Sequence, residues 1–173
     1  MLAIYKKELN DFFSSLIGYV AIIFYLVITG FFVWIYPGDN ILQNGHADLN
    51  KLFELGPLVL LFLVPAITMK SFAEEFNLGT MEFLLTKPIS DIQIILGKFF
   101  ACFSIVIIAV IPTLVYVYTI WELGMPRGNI DLGATITSFL GLILLGGVFI
   151  SIGLFSSLMT KNTILAFIVG LFT

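Results

Sequence analysis

Residues 17–36 run without a break in apolar side chains, tyrosine being the only ionisable type among them. A helix of that length, at about 1.5 Å per residue, covers the roughly 30 Å hydrocarbon layer of a bilayer. Similar runs recur at residues 53–69, 97–121 and 134–159, and residues 163–173 open a fifth that ends after about half a crossing. The pattern predicts an all-α, polytopic transmembrane helix bundle. A fifth span cut short at Thr173 reads as a piece of a longer protein with at least one more crossing. Composition agrees, since 60% of the 173 residues are hydrophobic and 11% are charged, outside the range of water-soluble domains. Lys6 and Lys7 precede an apolar stretch too long for a signal peptide, and no small-x-small cleavage site follows. The first span is therefore expected to stay as an anchor.

Residues 1–16 differ in kind. Tyr5, Leu9, Phe12, Phe13 and Leu16 fall at helical spacing, while Lys6, Lys7, Asn10, Asp11 and Ser14 occupy the other positions. Such a helix is too charged to span, and it is expected to lie in the membrane interface. Lys6, Lys7, Lys70, Lys87, Lys98 and Lys161 fall on one side of the membrane, against Lys51 and Arg127 on the other. The positive-inside rule then puts the N-terminus and the 70–98 connector in the cytoplasm. Pro112 interrupts the third span and predicts a kink there. Gly141, Gly146, Gly147 and Gly153 let the fourth span approach its neighbours closely.

The connector, TMKSFAEEFNLGTMEFLLTKPISDIQ, is richer than a turn requires. Residues 72–77 continue helically, Gly79 supplies a C-terminal stop, and Thr80 with Glu82 can start a second short helix that Pro88 ends. Ser90 and Gln93 have capping-box spacing for the next helix. Phe72, Phe76, Phe83, Leu84 and Leu85 are available for burial. Glu74, Glu75 and Glu82 favour a protein partner over an anionic lipid surface.

In the segment Glu75-x-x-x-Gly79-Thr80-x-Glu82-x-Leu84-Leu85-x-x-Pro88, with Gly97-Lys98 at the mouth of the next span, the chain resembles the ABC-2 class of ABC-transporter permeases. Within that class it is most similar to permease subunits of gliding-motility-associated transporters. The resemblance implies an ABC-2, type V exporter-like permease fold with an N-terminal elbow helix and a cytoplasmic coupling helix within segment 70–90. It also implies a bacterial inner-membrane location, a separate ATPase subunit as motor and a second permease subunit, identical or different, as partner. Phe72, Glu74, Glu75, Phe76, Gly79, Thr80, Glu82 and Leu84 would then form the ATPase-docking surface. Phe76 and Asn77 stand where basic residues commonly follow the glutamate, which departs from an ion-pair-rich docking mode.

No phosphate-binding G-x-x-x-x-G-K-[ST] loop, H-E-x-x-H pair or intramembrane catalytic set is present, so no enzyme activity and no cofactor are expected. Cys102 and His46 are the only cysteine and histidine, so neither has a second thiol or imidazole to complete a metal site. Cys102 reads as a small buried hydrophobe and His46 as a loop residue. No basic patch suggests nucleic acid. Ser104, Thr113, Ser151 and Ser156 are expected to bond to backbone or across helices. The spans are read as free of Asp, Glu, Lys, Arg and His, which weighs against the alternative of an ion channel or carrier. A non-transporting membrane anchor is the other alternative.

Overall fold

A computed structural model describes residues 1–37, 41, 48–82 and 90–173. His46, Phe83, Leu84, Leu85, Lys87 and Pro88 lie outside the described residues. Helices α1 (Leu2–Ser14), α2 (Leu16–Trp34), α3 (Asn50–Thr68), α4 (Ala73–Asn77), α5 (Asp91–Val110), α6 (Leu114–Leu123), α7 (Leu132–Met159) and α8 (Thr163–Phe172) follow in order, with no strand among the described residues. Among the described residues, four helical stretches are long and apolar enough to cross a membrane: Leu16–Trp34, Asn50–Asn77, Asp91–Leu123 and Leu132–Met159.

Ser15 alone separates α1 from α2. Its extended backbone (φ −92°, ψ 133°) breaks the helix, and Gly18 lets the corner fold tightly, because a Cβ there would collide with the Phe12 carbonyl. The polar helix is thereby turned back against the bundle. Ile4 is buried on it, and a Cβ at Gly97 would stand 3.1 Å from Ile4 Cβ, so α1 lies along α5.

Helix α3 is the centre of the bundle, packed against α7, α2 and α8. Leu52, Leu60, Leu63 and Val64 are buried along it. Its crossing with α7 is closest where Gly153 faces Thr68, since a methyl group at Gly153 would overlap the Thr68 hydroxyl. Thr68 sends that hydroxyl back to the Val64 carbonyl at 3.0 Å, which keeps the polar group satisfied inside lipid.

Between α5 and α6, residues Ile111–Thr113 form a single 3₁₀ turn around Pro112. Proline has no N–H to continue the α ladder, and Thr113 Oγ1 bonds the Val110 carbonyl at 2.6 Å. Ser104, Ser151 and Ser156 likewise bond carbonyls four residues back, at 2.8, 3.1 and 2.9 Å. Asp131 caps α7 through Ala134 N–H and Asn162 caps α8 through Ile164 N–H. Leu16, Val27, Leu144 and Phe155 are among the large apolar side chains left on the outside, as a bilayer solvent permits.

Candidate functional site

The connector begins as a turn after Thr68, and Ser157 of α7 holds it. Ser157 Oγ accepts hydrogen bonds from the backbone N–H groups of Phe72 and Ala73, both at 3.0 Å, and donates to the Met69 carbonyl at 3.2 Å. Two N–H groups at the start of α4 thus find in another helix the acceptor their own sequence lacks. Helix α4 ends in a Schellman motif. Gly79 takes φ +68°, Gly79 N–H bonds the Phe76 carbonyl at 3.3 Å, and Thr80 N–H bonds that of Glu75 at 3.0 Å. The Thr80 hydroxyl donates back to the same Glu75 carbonyl at 3.4 Å, and the second short helix expected after it runs into residues outside the described ones. Ser90 stands at the N-cap of α5, but its side chain makes no capping bond, so the expected capping box is not formed.

Helix α5 starts at Asp91, which sets Lys98 about two turns inside it rather than at its mouth. Lys98 is fully buried. This corrects the expectation of spans without charge, as does the exposed Glu54 of α3, 3.3 Å from Lys51. A lone ammonium there would cost several kcal/mol to desolvate, and three elements supply compensation. Lys98 Nζ lies 2.6 Å from Glu8 Oε1 of α1 and 3.1 Å from Glu75 Oε2 of α4. It also donates to the Ser71 carbonyl and sits 4.8 Å from the centre of the Phe72 ring. Glu75 Oε1 receives a second cation, Lys7 Nζ, at 2.8 Å. Two lysines and two glutamates, Lys7, Glu8, Glu75 and Lys98, therefore balance within one cluster.

Its electrostatics are uneven. Burial pushes the Glu8 carboxyl above the usual carboxylate range, and the Lys98 ammonium beside it offsets only part of that shift. For Lys7 burial pulls the other way, yet the hydrogen bond and charge of Glu75 raise its pKa overall. Glu75 Oε2 is buried with Lys98 as an ion partner but without a well-aligned hydrogen bond.

Of the docking residues read from sequence, Phe72 and Glu75 face inward, at 1% and 8% exposure, and cannot form an open surface. Their side chains are engaged by Lys98 and Lys7. Glu74 and Phe76 are half-buried, while Gly79, Thr80 and Glu82 are exposed, together with Leu78. Leu84 lies outside the described residues. Sequence reasoning passed over Glu8, Ser157 and Leu78. Glu8 was detectable only as a second acidic position on the elbow face beside Lys7.

A short helix fastened by charges to the N-terminal helix and to an apolar helix long enough to span a membrane is a joint between the two. The family model for ABC-2 family transporter proteins matches residues 2–173. The chain belongs to that family. No curated protein and no solved structure matches it. ABC-2 members are membrane components of ABC transporters and associate with an ABC ATPase subunit. This ABC-2 chain is accordingly a multi-pass membrane protein and a permease component.

Proposed function

We propose that this ABC-2 permease couples ATP hydrolysis in a separate ATPase subunit to export or movement of a substrate, through the α4 joint. The observation that carries the reading is the Lys98 cluster: a displacement of segment 69–82 pulls on α5 through Lys98, on α1 through Glu8 and Lys7, and on α7 through Ser157. Rigid elements linked this way move together, which is how a push at the surface becomes a rotation of spans. The partner's contact lies on Leu78, Gly79, Thr80 and Glu82, with Glu74 and Phe76 at its edge; Leu84 belongs to the same segment.

Lysine distribution supports a cytoplasmic N-terminus and connector, and the family resemblance supports the bacterial inner membrane as the location. The assembly expected is a pair of permease subunits, identical or different, on a pair of ATPases. A role in gliding motility rests on the likeness of the chain as a whole to motility-associated permeases.

Purification from native membranes in mild detergent tests the reading. The wild type is expected to retain a P-loop ATPase, and Leu78→Glu with Glu82→Lys is expected to lose it while the permease stays folded. Both positions are exposed, so a loss reports on docking. Retention by the variant would remove the docking surface from segment 78–82, and absence of an ATPase from the wild type would overturn the coupling reading.

A further inference from the structure

A cavity of about 560 Å³ opens beneath the α1–α2 corner, between it and α3, α4 and α5. That volume is within the roughly 300–1,000 Å³ range of ligand sites. Its two ends differ. One is lined by Ile67, Ala101, Cys102 and Ile105 from the interiors of α3 and α5; the other carries Lys70, Glu74, Glu75 and Asp11 near the connector. From the level of Lys98 to Ile105 the helix rises about 10 Å, so the apolar end lies deeper in the bundle. Polar group at the surface and apolar chain toward the interior is the order of a phospholipid in the leaflet on that side.

The charges specify the head. Lys70 and Glu74 have no ion-pair or side-chain hydrogen-bond partner among the described residues, although they sit one turn apart. Glu75, on the same wall, already has Lys7 and Lys98 as its cations, so the free charges are one of each sign. The group that satisfies both carries a phosphate for Lys70 and an N–H-bearing ammonium for Glu74. Choline has no N–H to donate, and an anionic glycerol head leaves Glu74 without a cation.

We propose that this cavity seats one phospholipid with a phosphoethanolamine head, its phosphate against Lys70, its ammonium against Glu74, and an acyl chain over Ile67, Ala101 and Ile105. The lipid is a wedge between elbow helix and bundle, and its presence does not depend on the ATPase reading above.

Cys102, the only cysteine, sits in the apolar wall and reports on occupancy. Delipidated protein in detergent is treated with N-ethylmaleimide alone or with phosphatidylethanolamine, phosphatidylcholine, phosphatidylglycerol or dodecylamine. Phosphatidylethanolamine is expected to slow alkylation by about tenfold relative to the other phospholipids, the size of effect one charge-assisted hydrogen bond supports. Lys70→Gln with Glu74→Gln, both at the rim, is expected to abolish the difference. Equal protection by all phospholipids, or protection by dodecylamine alone, would overturn the proposal, the latter in favour of a cationic amphiphile. Native mass spectrometry supplies a second readout that needs no reaction at Cys102. One phosphatidylethanolamine retained per wild-type chain and lost from the double variant supports the site; none retained, or equal retention in both, overturns it.

Discussion

Lys98 shows what one buried charge requires. Its ammonium has two carboxylates, a carbonyl and an aromatic face around it, and removal of the cation leaves Glu8 and Glu75 facing each other without it. Lys98→Met is therefore expected to destabilise by ~3–5 kcal/mol, the usual cost of breaking a buried pair from one side. Adding Glu8→Gln and Glu75→Gln should recover part of it, and thermal unfolding of the four variants in one detergent measures the coupling. Glu8 also gives a pH signature. Its folded pKa is raised above the ordinary value of 4.5, so the folded state holds this proton more tightly than the unfolded chain. The stability it contributes is full below the unfolded pKa and is lost as pH rises through the folded pKa. As pH falls from neutral toward 4.5, the wild type should accordingly gain melting temperature relative to Glu8→Gln. Parallel melting curves for the two proteins would contradict this.

At the scale of elements, α4 has five residues, too few to be stable alone. Its order comes from the Ser157 hydroxyl at one end and the left-handed Gly79 at the other. Ser157→Ala leaves two buried N–H groups without an acceptor, at about 1–3 kcal/mol each. Hydrogen exchange at the Phe72 and Ala73 amides should speed up selectively, with the α7 amides near Ile150 unchanged. The crossing of α3 and α7 offers a packing counterpart. Gly153→Ala pushes a methyl group into Thr68, and a loss of about 1–3 kcal/mol is expected from overpacking at a site where both helices are held by neighbours. Thermal unfolding that matches the wild type would show that the crossing can relax.

On the scale of the molecule, the elbow helix is part of the bundle rather than an appendage on it. Ile4 against Gly97, Tyr5 Oη at 3.0 Å from Ser104 Oγ, and Glu8 at Lys98 tie α1 to two levels of α5 nearly two turns apart. With Cys102→Ser as background, Ile4→Cys with Gly97→Cys is expected to form an intramolecular disulfide on mild oxidation, seen as a reductant-sensitive mobility shift. Failure to cross-link would mean that α1 does not rest on α5 in the membrane. Three helices thus share one set of contacts around residue 98, and the motor proposed to act on segment 78–82 would have a short path into them.

The apolar runs alone determined that this chain lives in lipid and forms helices, because a backbone in hydrocarbon has few other ways to satisfy itself. Gly79 was legible too, since the need for a positive φ after a helix is a local property. The elbow helix showed itself through periodicity, yet only its oily residues could be read that way. Ile4 became buried, and Glu8 largely covered, through contact with α5. Glu75 stood out in the connector, but its partners are 68 and 23 positions away, and Lys98 meets Glu8 across 90. No periodicity encodes such pairings. They exist because helix packing brings four polar positions together, and Glu8, Glu75 and Lys98 into a largely desolvated space where each charge is tolerable only beside the others; which residues meet there was decided by the tertiary structure.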